Sequence, residues 1–250
     1  MKCKLDLLSL LYKCNFIIFA TSIFITQAHS ASLQVAPILL EFSPQEKVKE
    51  LWLTNTGNEA IQGQVRVNAW TQKNNQDVLS PSKDLIASPM VLVIPPGQRQ
   101  LVRLIRMNTN DSSSSEKAYR LIVDELPNPQ IKKPSGLELL VKYSIPVFFK
   151  SSSLDTTQQG ITSLNNISFK YSTNTLTVSN QSQHYKRFSQ FAYVDPQGHK
   201  IPIQTGLMGY VLSGQTMKWN IPAHIKVKPN GKFVSVVNMD IHAQELILSP

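Results

Sequence analysis

Cysteine is almost missing from this chain. Only Cys3 and Cys14 occur, both within the first thirty residues. A disulfide framework and thiolate metal sites are therefore excluded for everything that follows. Histidine is sparse as well. Beyond residue 30 only His184, His199, His224 and His242 remain, and no two of them have metal-ligand spacing. There is no phosphate-cradling glycine loop, no Gly-x-Ser-x-Gly, and no carboxylate pair marked for catalysis. Asp124 and Glu125 are neighbours on an expected strand, so their side chains point to opposite faces. The sequence therefore predicts no enzyme, no catalytic residue, no metal, no cofactor and no small-molecule substrate. The net charge is +9, yet no basic run is longer than Lys132-Lys133. Scattered cations of that kind argue against nucleic acid as a partner. Helical periodicity is hard to find after residue 30.

The N-terminus has the order of a secretory signal. Lys2, Lys4 and Lys13 precede an apolar run from Phe16 to Ile25, which is followed by Ala28-His29-Ser30. A membrane-spanning helix needs about 18 apolar residues, and Lys13 and Asn15 cut this run short. Leu-Tyr-Lys before Cys14 is not the small-residue pattern of a lipoprotein. Cleavage is expected near Ser30. The remainder would then carry 22 basic and 15 acidic residues and no cysteine. Its stability must come from hydrophobic cores, and two domains of about 110 residues can supply them.

Short alternating runs bounded by Gly, Pro, Asn and Ser fill residues 33–149, which predicts an all-β chain. Strands are expected at 33–42, 48–55, 60–71, 90–94, 98–107, 117–126 and 137–149. Within 60–71, Ile61, Gly63, Val65, Val67 and Ala69 share one face. Gln62, Gln64, Arg66, Asn68 and Trp70 share the other. Seven strands in about 115 residues suggest an immunoglobulin-like sandwich. A linker is read at 150–155. More polar strands then follow at 167–172, 175–180, 188–195, 200–204, 208–212, 216–220 and 232–239, predicting a second, smaller sandwich. The expected organisation is a signal at 1–30, a first domain at 31–150 and a second at 151–250.

One stretch is unusual. From Leu137 every second residue is apolar or aromatic: Leu137, Leu139, Val141, Tyr143, Ile145, Val147, Phe149. Extended, these residues would reach roughly 40 Å, whereas most strands have about five or six residues. Two readings stand. The strand is central and covered on both faces, or its first half lies at an edge and pairs with another chain. The Pro-rich stretch 127–136 ahead of it is not a tight hairpin turn. Pro146 lacks a backbone donor, which suits an edge.

Ala-Tyr-Arg-Leu-Ile-Val-Asp-Glu-Leu-Pro (118–127), a Pro-rich loop, and Leu-x-Leu-x-Val-x-Tyr-Ser-Ile-Pro-Val-Phe (137–148) together resemble the last two strands of the first domain in PapD-like periplasmic pilus chaperones of the chaperone–usher pathway. Val35-Ala-Pro37, Leu53-Thr-Asn55-Thr-Gly57, Val65-Arg-Val67-Asn-Ala-Trp70 and Ile94-Pro-Pro-Gly97-Gln fit the same family in order. Tyr-Ser-Ile-Pro-Val-Phe and Val-Arg-Val-x-x-Trp are most similar to its archaic branch. The likeness covers nearly all of 33–149. It is looser at Leu176-Thr-Val-Ser-Asn180, Gly206-Leu-Met-Gly and Val237-Asn-Met-Asp240.

The resemblance implies two immunoglobulin-like sandwiches in a boomerang-like arrangement, a periplasmic location, and binding without chemistry. Such a chaperone completes the sandwich of a pilus subunit with its own strand and delivers the subunit to an outer-membrane usher. The strand residues it implies are Leu137, Leu139, Val141, Tyr143 and Ile145, with self-association possible when no client is bound. The family anchors the client's C-terminal carboxylate with a basic pair, but the matching positions here hold Leu39 and Pro146. Lys142, Arg103, Arg106 and Arg120 are the candidates left. An ionic cluster between the domains is implied at Glu125, Lys150 and Asp240. The competing reading is a structural pilus or surface subunit. That reading predicts a missing last strand, a cysteine pair and an N-terminal donor segment.

Overall fold

The computed structural model describes residues 33–108, 115–127, 139–151 and 163–249, and every regular element among them is a β-strand. Ten strands build the first sandwich: β1 (Leu33–Ala36), β2 (Leu40–Phe42), β3 (Val48–Asn55), β4 (Ile61–Lys73), β5 (Gln76–Pro81), β6 (Leu85–Ser88), β7 (Val91–Ile94), β8 (Arg99–Arg106), β9 (Lys117–Leu126) and β10 (Lys142–Phe149). One sheet runs β1-β3-β8-β6. The other runs β2-β10-β9-β4-β5, with β7 also on β4.

The single strand expected at 33–42 is two. Pro37 interrupts it, since a proline cannot donate to a ladder. As a result β1 pairs with β3 in one sheet and β2 with β10 in the other. The strands β5 and β6 are additions to the expected set. All six β5 side chains are exposed, so no apolar alternation marks it. Its turn is nevertheless written in the sequence: Asn74 and Asn75 both have positive φ, as a two-residue hairpin loop requires.

Leu51, Leu53, Val65, Val102, Leu104, Leu121, Val123 and Val147 fill the space between the two sheets. Each fully buried aliphatic or aromatic side chain contributes about 1.5–3 kcal/mol, in place of the absent disulfides. Leu92 packs over Gly63 on the inner face of β4, its Cδ1 at ordinary contact distance, 3.5 Å, from where a Cβ would stand.

The second sandwich holds β11 (Ile167–Ser172), β12 (Thr175–Asn180), β13 (Lys186–Val194), β14 (Lys200–Val211), β15 (Thr216–Asn220), β16 (Lys232–Val237) and β17 (Ala243–Leu246). Its sheets run β11-β12-β15 and β14-β13-β16-β17. The two strands expected at 200–204 and 208–212 are the single strand β14. Register shifts against β13 absorb the break in alternation. Phe169, Phe188, Phe191, Tyr193 and Phe233 dominate this core.

A third cluster lies where the sandwiches meet. Trp70, Phe148, Tyr185, Tyr210 and Leu212 are buried together, with Leu39 and Ala118 against them. Alternation assigns Trp70 to the polar face of β4, yet it is only 2% exposed. The alternation is right. The second sandwich, rather than water, covers that face.

Candidate functional site

The strand β10 is shorter than its sequence signal and only half paired. It pairs with β9 along its whole length, from Lys142↔Asp124 to Phe149↔Lys117. On its other side β2 meets only Val147, Phe148 and Phe149. Backbone parity says which groups are left over. Glu125 N–H donates to the Val141 carbonyl (2.9 Å), and Lys150 N–H donates to the Phe42 carbonyl (2.9 Å). Odd-numbered residues therefore turn their backbone groups toward β9, and even-numbered ones toward the opposite side. Lys142 and Ser144 present N–H and C=O groups to a border that no strand of the described residues occupies. Pro146 stands at an outward position, so its missing N–H removes no bond to β9.

The side chains divide the strand again. Ile145 is 2% exposed and, with Val147 and Phe149, belongs to the core of its own sandwich. Tyr143 packs partly buried on that core, and its hydroxyl donates to the Leu33 carbonyl (2.6 Å). These two members of the expected donor strand turn their side chains into their own sandwich. Leu139 and Val141 continue the same side of the chain, past the end of the core. Leu139 is 64% exposed and Val141 half-buried. Leu137 lies outside the described residues. The long apolar zigzag is thus part core and part exposed extension, with the change near Tyr143.

The candidate cations separate clearly. Arg106 is buried, and its guanidinium donates to the carbonyls of Asn108 (2.9 Å) and Pro44 (3.1 Å) and covers the Phe149 ring. Arg120 lies 3.6 Å over the Trp70 ring, where burial lowers its pKa against the opposing fields of Tyr210 and Asp77. Both are structural parts of the fold. Arg103 is exposed on β8, in the sheet opposite β10. Lys142 alone of the four stands on the half-paired strand. Its side chain is 64% exposed, with Nζ 3.6 Å from Asp124, which also binds Arg66.

The expected ionic cluster of Glu125, Lys150 and Asp240 does not form. Glu125 accepts from Val141 N–H (3.2 Å), while Asp240 accepts from Gln244 (2.9 Å) and from the Ile241 amide. Lys150 does reach a domain junction, but through Glu41 (2.9 Å), whose other oxygen accepts from the Tyr185 hydroxyl (3.0 Å). A second carboxylate, Glu116, accepts from the Tyr185 amide (2.8 Å) and bonds His184 Nδ1 (3.0 Å). Gln72 contributes an amide to the same junction. Glu41, Glu116 and Gln72 have no local pattern of their own. The visible signal is Trp70 and Phe148, two large aromatics placed on polar faces.

The junction titrates. Burial pushes the Lys186 ammonium down to about 8, with the Glu116 charge opposing. Burial raises the Tyr185 phenol, helped by the Glu41 charge and hydrogen bond. From pH 8 to 10.5 the unfolded chain holds a proton that folded Lys186 has released. Stability therefore rises with pH through that window and is lost as pH falls toward 8. Above about pH 10 the unfolded tyrosine ionises first and the trend reverses. We expect a stability maximum near pH 10 in denaturant titrations. Lys186→Met should flatten the rise below it.

Among the described residues, no three His, Cys, Asp or Glu side chains are placed to hold a metal. The geometry is that of a strand-presenting binding protein, with a border that no strand of the described residues pairs, beside an exposed aliphatic side chain.

Residues 32–155 match the family model of the pili and flagellar-assembly chaperone, PapD N-terminal domain. The chain belongs to this chaperone family. No curated protein sequence matches the chain. The fold is similar to that in the CsuC–CsuE chaperone–tip adhesion subunit pre-assembly complex of the archaic chaperone–usher Csu pili of Acinetobacter baumannii. The identity is 27%, covering 86% of this chain and 97% of that one, with a TM-score of 0.65. It is also similar to that in the Salmonella enterica SafA pilin–SafB chaperone complex (15% identity, 88% and 98% covered, TM-score 0.64). A third relative in fold is the Pseudomonas aeruginosa CupB2 chaperone (16% identity, 86% and 100% covered, TM-score 0.60).

Proposed function

We propose that this chain is a periplasmic chaperone of the archaic type. It holds pilus subunits folded by adding the segment that runs from Leu137 into β10 to their incomplete sandwiches and passes them to an outer-membrane usher. Residues 1–30 are its cleaved export signal. The observation that carries this reading is the free border of β10 beside exposed Leu139. Strand addition supplies affinity through main-chain bonds and specificity through alternate side chains, a mode of which chaperone–pilin complexes are themselves a known example. The apolar residues that enter the client are Leu137, Leu139 and Val141. Tyr143 and Ile145 root the strand in its owner. The rival reading, a structural subunit, requires a sandwich that lacks its last strand, and here β10 seats Ile145, Val147 and Phe149 in the core.

The test is co-expression with a pilus subunit in the periplasm. The subunit should be recovered soluble and in complex with the chaperone, and should precipitate when separated. A subunit that stays folded alone at the same yield would overturn the reading.

Lys142 is the remaining candidate for the client's carboxylate. As an exposed point charge it should contribute modestly and be weakened by salt. We expect Lys142→Ala to weaken capture about tenfold, or about 1.4 kcal/mol, with the difference shrinking at high salt. Unchanged affinity for a client with a free C-terminus would remove Lys142 from that role.

A further inference from the structure

The strand β4 pairs with β9 only as far as Ala69↔Tyr119. Beyond it, Trp70–Lys73 pairs with β5 alone, from Trp70↔Leu79 to Lys73↔Gln76. An isolated two-stranded ribbon is marginal in water. This one is supported by the second sandwich at three points. Trp70 meets the Tyr210 ring edge-on at 5.3 Å. The Asn75 side-chain oxygen accepts from the Lys218 amide on β15.

The third point is Gln72, which is 5% exposed. Its amide nitrogen donates to the Tyr210 carbonyl (2.9 Å) and to Asp77 (3.0 Å), and its amide oxygen accepts from the Leu212 N–H (2.9 Å). β14 is the outer strand of its sheet, so this one side chain gives the end of that strand the pair of bonds a neighbouring strand would give. Removing it would leave a buried backbone donor and a buried acceptor without partners.

The same junction holds β10. Phe148 stacks on Tyr185 with ring centroids 3.7 Å apart and planes 9° apart. The rooted half of β10 is thus gripped on both faces. Its own core takes Ile145, Val147 and Phe149, and the second sandwich takes Phe148.

We propose that the β4–β5 hairpin is a strap between the sandwiches, and that Gln72 is a positioning residue for client capture through its hold on the second sandwich and so on Phe148. This rests on the reading of β10 as the donated strand. The test is residue-resolved amide exchange on the full protein, combined with capture of a co-expressed pilus subunit. In Gln72→Ala, the Leu212 amide should exchange at least tenfold faster. So should the Tyr185 amide, which bonds Glu116 of the first sandwich. Capture should fall about tenfold. Val102, deep in the first core, should not change.

Acceleration confined to Leu212 would make Gln72 a local support only and overturn the proposal. An opened junction with undiminished capture would overturn it equally. Asn75→Gly is the second variant. It keeps the positive φ of the hairpin tip while deleting the acceptor for Lys218, and should show the same pattern more weakly. The exchange arm needs no client. A wild-type protein that captures no subunit would therefore sink the reading of β10 while leaving the strap to be decided on its own.

Discussion

Leu139→Asp abolishes client capture and leaves the chaperone folded. Leu139 is 64% exposed and belongs to no core cluster of the described residues, so the substitution should change the unfolding free energy by no more than about 0.5 kcal/mol. In a complex the same side chain would be buried in the client's groove. Losing a buried leucine forfeits about 1.5–3 kcal/mol, and forcing a carboxylate into that site adds a further penalty. At about 1.4 kcal/mol per decade, affinity should fall at least ~100-fold. The check is titration of purified chaperone with a subunit released from complex, alongside the chaperone's own denaturation curve. A variant that fails to fold would mean that Leu139 belongs to its owner's core, and the donor role would be wrong.

The second large effect is Phe148→Ala. Phe148 is fully buried, stacked on Tyr185, and close to Trp70 at 5.9 Å. Truncating a buried phenylalanine costs about 3–5 kcal/mol through lost contacts and the cavity left behind. For a chain of this size that lowers the melting temperature by roughly 10 °C. The loss should appear in both sandwiches, because the side chain bridges them. A melting temperature within a degree or two of wild type would contradict the packing described for the junction.

Much of this is legible in residue order. The β-class, most strands, and the long zigzag ending at Phe149 follow from period-two alternation alone. The edge position of Pro146 follows instead from its missing backbone donor, and the ladder agrees. What the order does not specify is where the zigzag changes owner. Leu139 and Ile145 are equivalent by pattern and differ only because the core ends between them. The polar hairpin strand β5 escapes because exposed strands carry no alternation, although Asn74-Asn75 marks its turn.

The junction between the sandwiches is the least legible part. Glu41, Glu116 and Gln72 are brought together from distant strands, and no spacing announces such an arrangement. Glu125 and Asp240 bond locally, and only Lys150 reaches the other sandwich's network, through a carboxylate that the resemblance does not name. Arg106 and Arg120 already have partners within the fold: Arg106 donates to backbone carbonyls, and Arg120 lies over the Trp70 ring near Asp77.

The measurement closest to the central claim is amide hydrogen exchange at Lys142 and Ser144, the two N–H groups on the open border of β10. Free protein should exchange both quickly, while Tyr143 and Ile145, bonded toward β9, exchange slowly. Bound to a subunit, Lys142 and Ser144 should become protected at least ~100-fold, as a new strand takes up their bonds. A stable complex in which both amides exchange as fast as in the free protein would contradict the account.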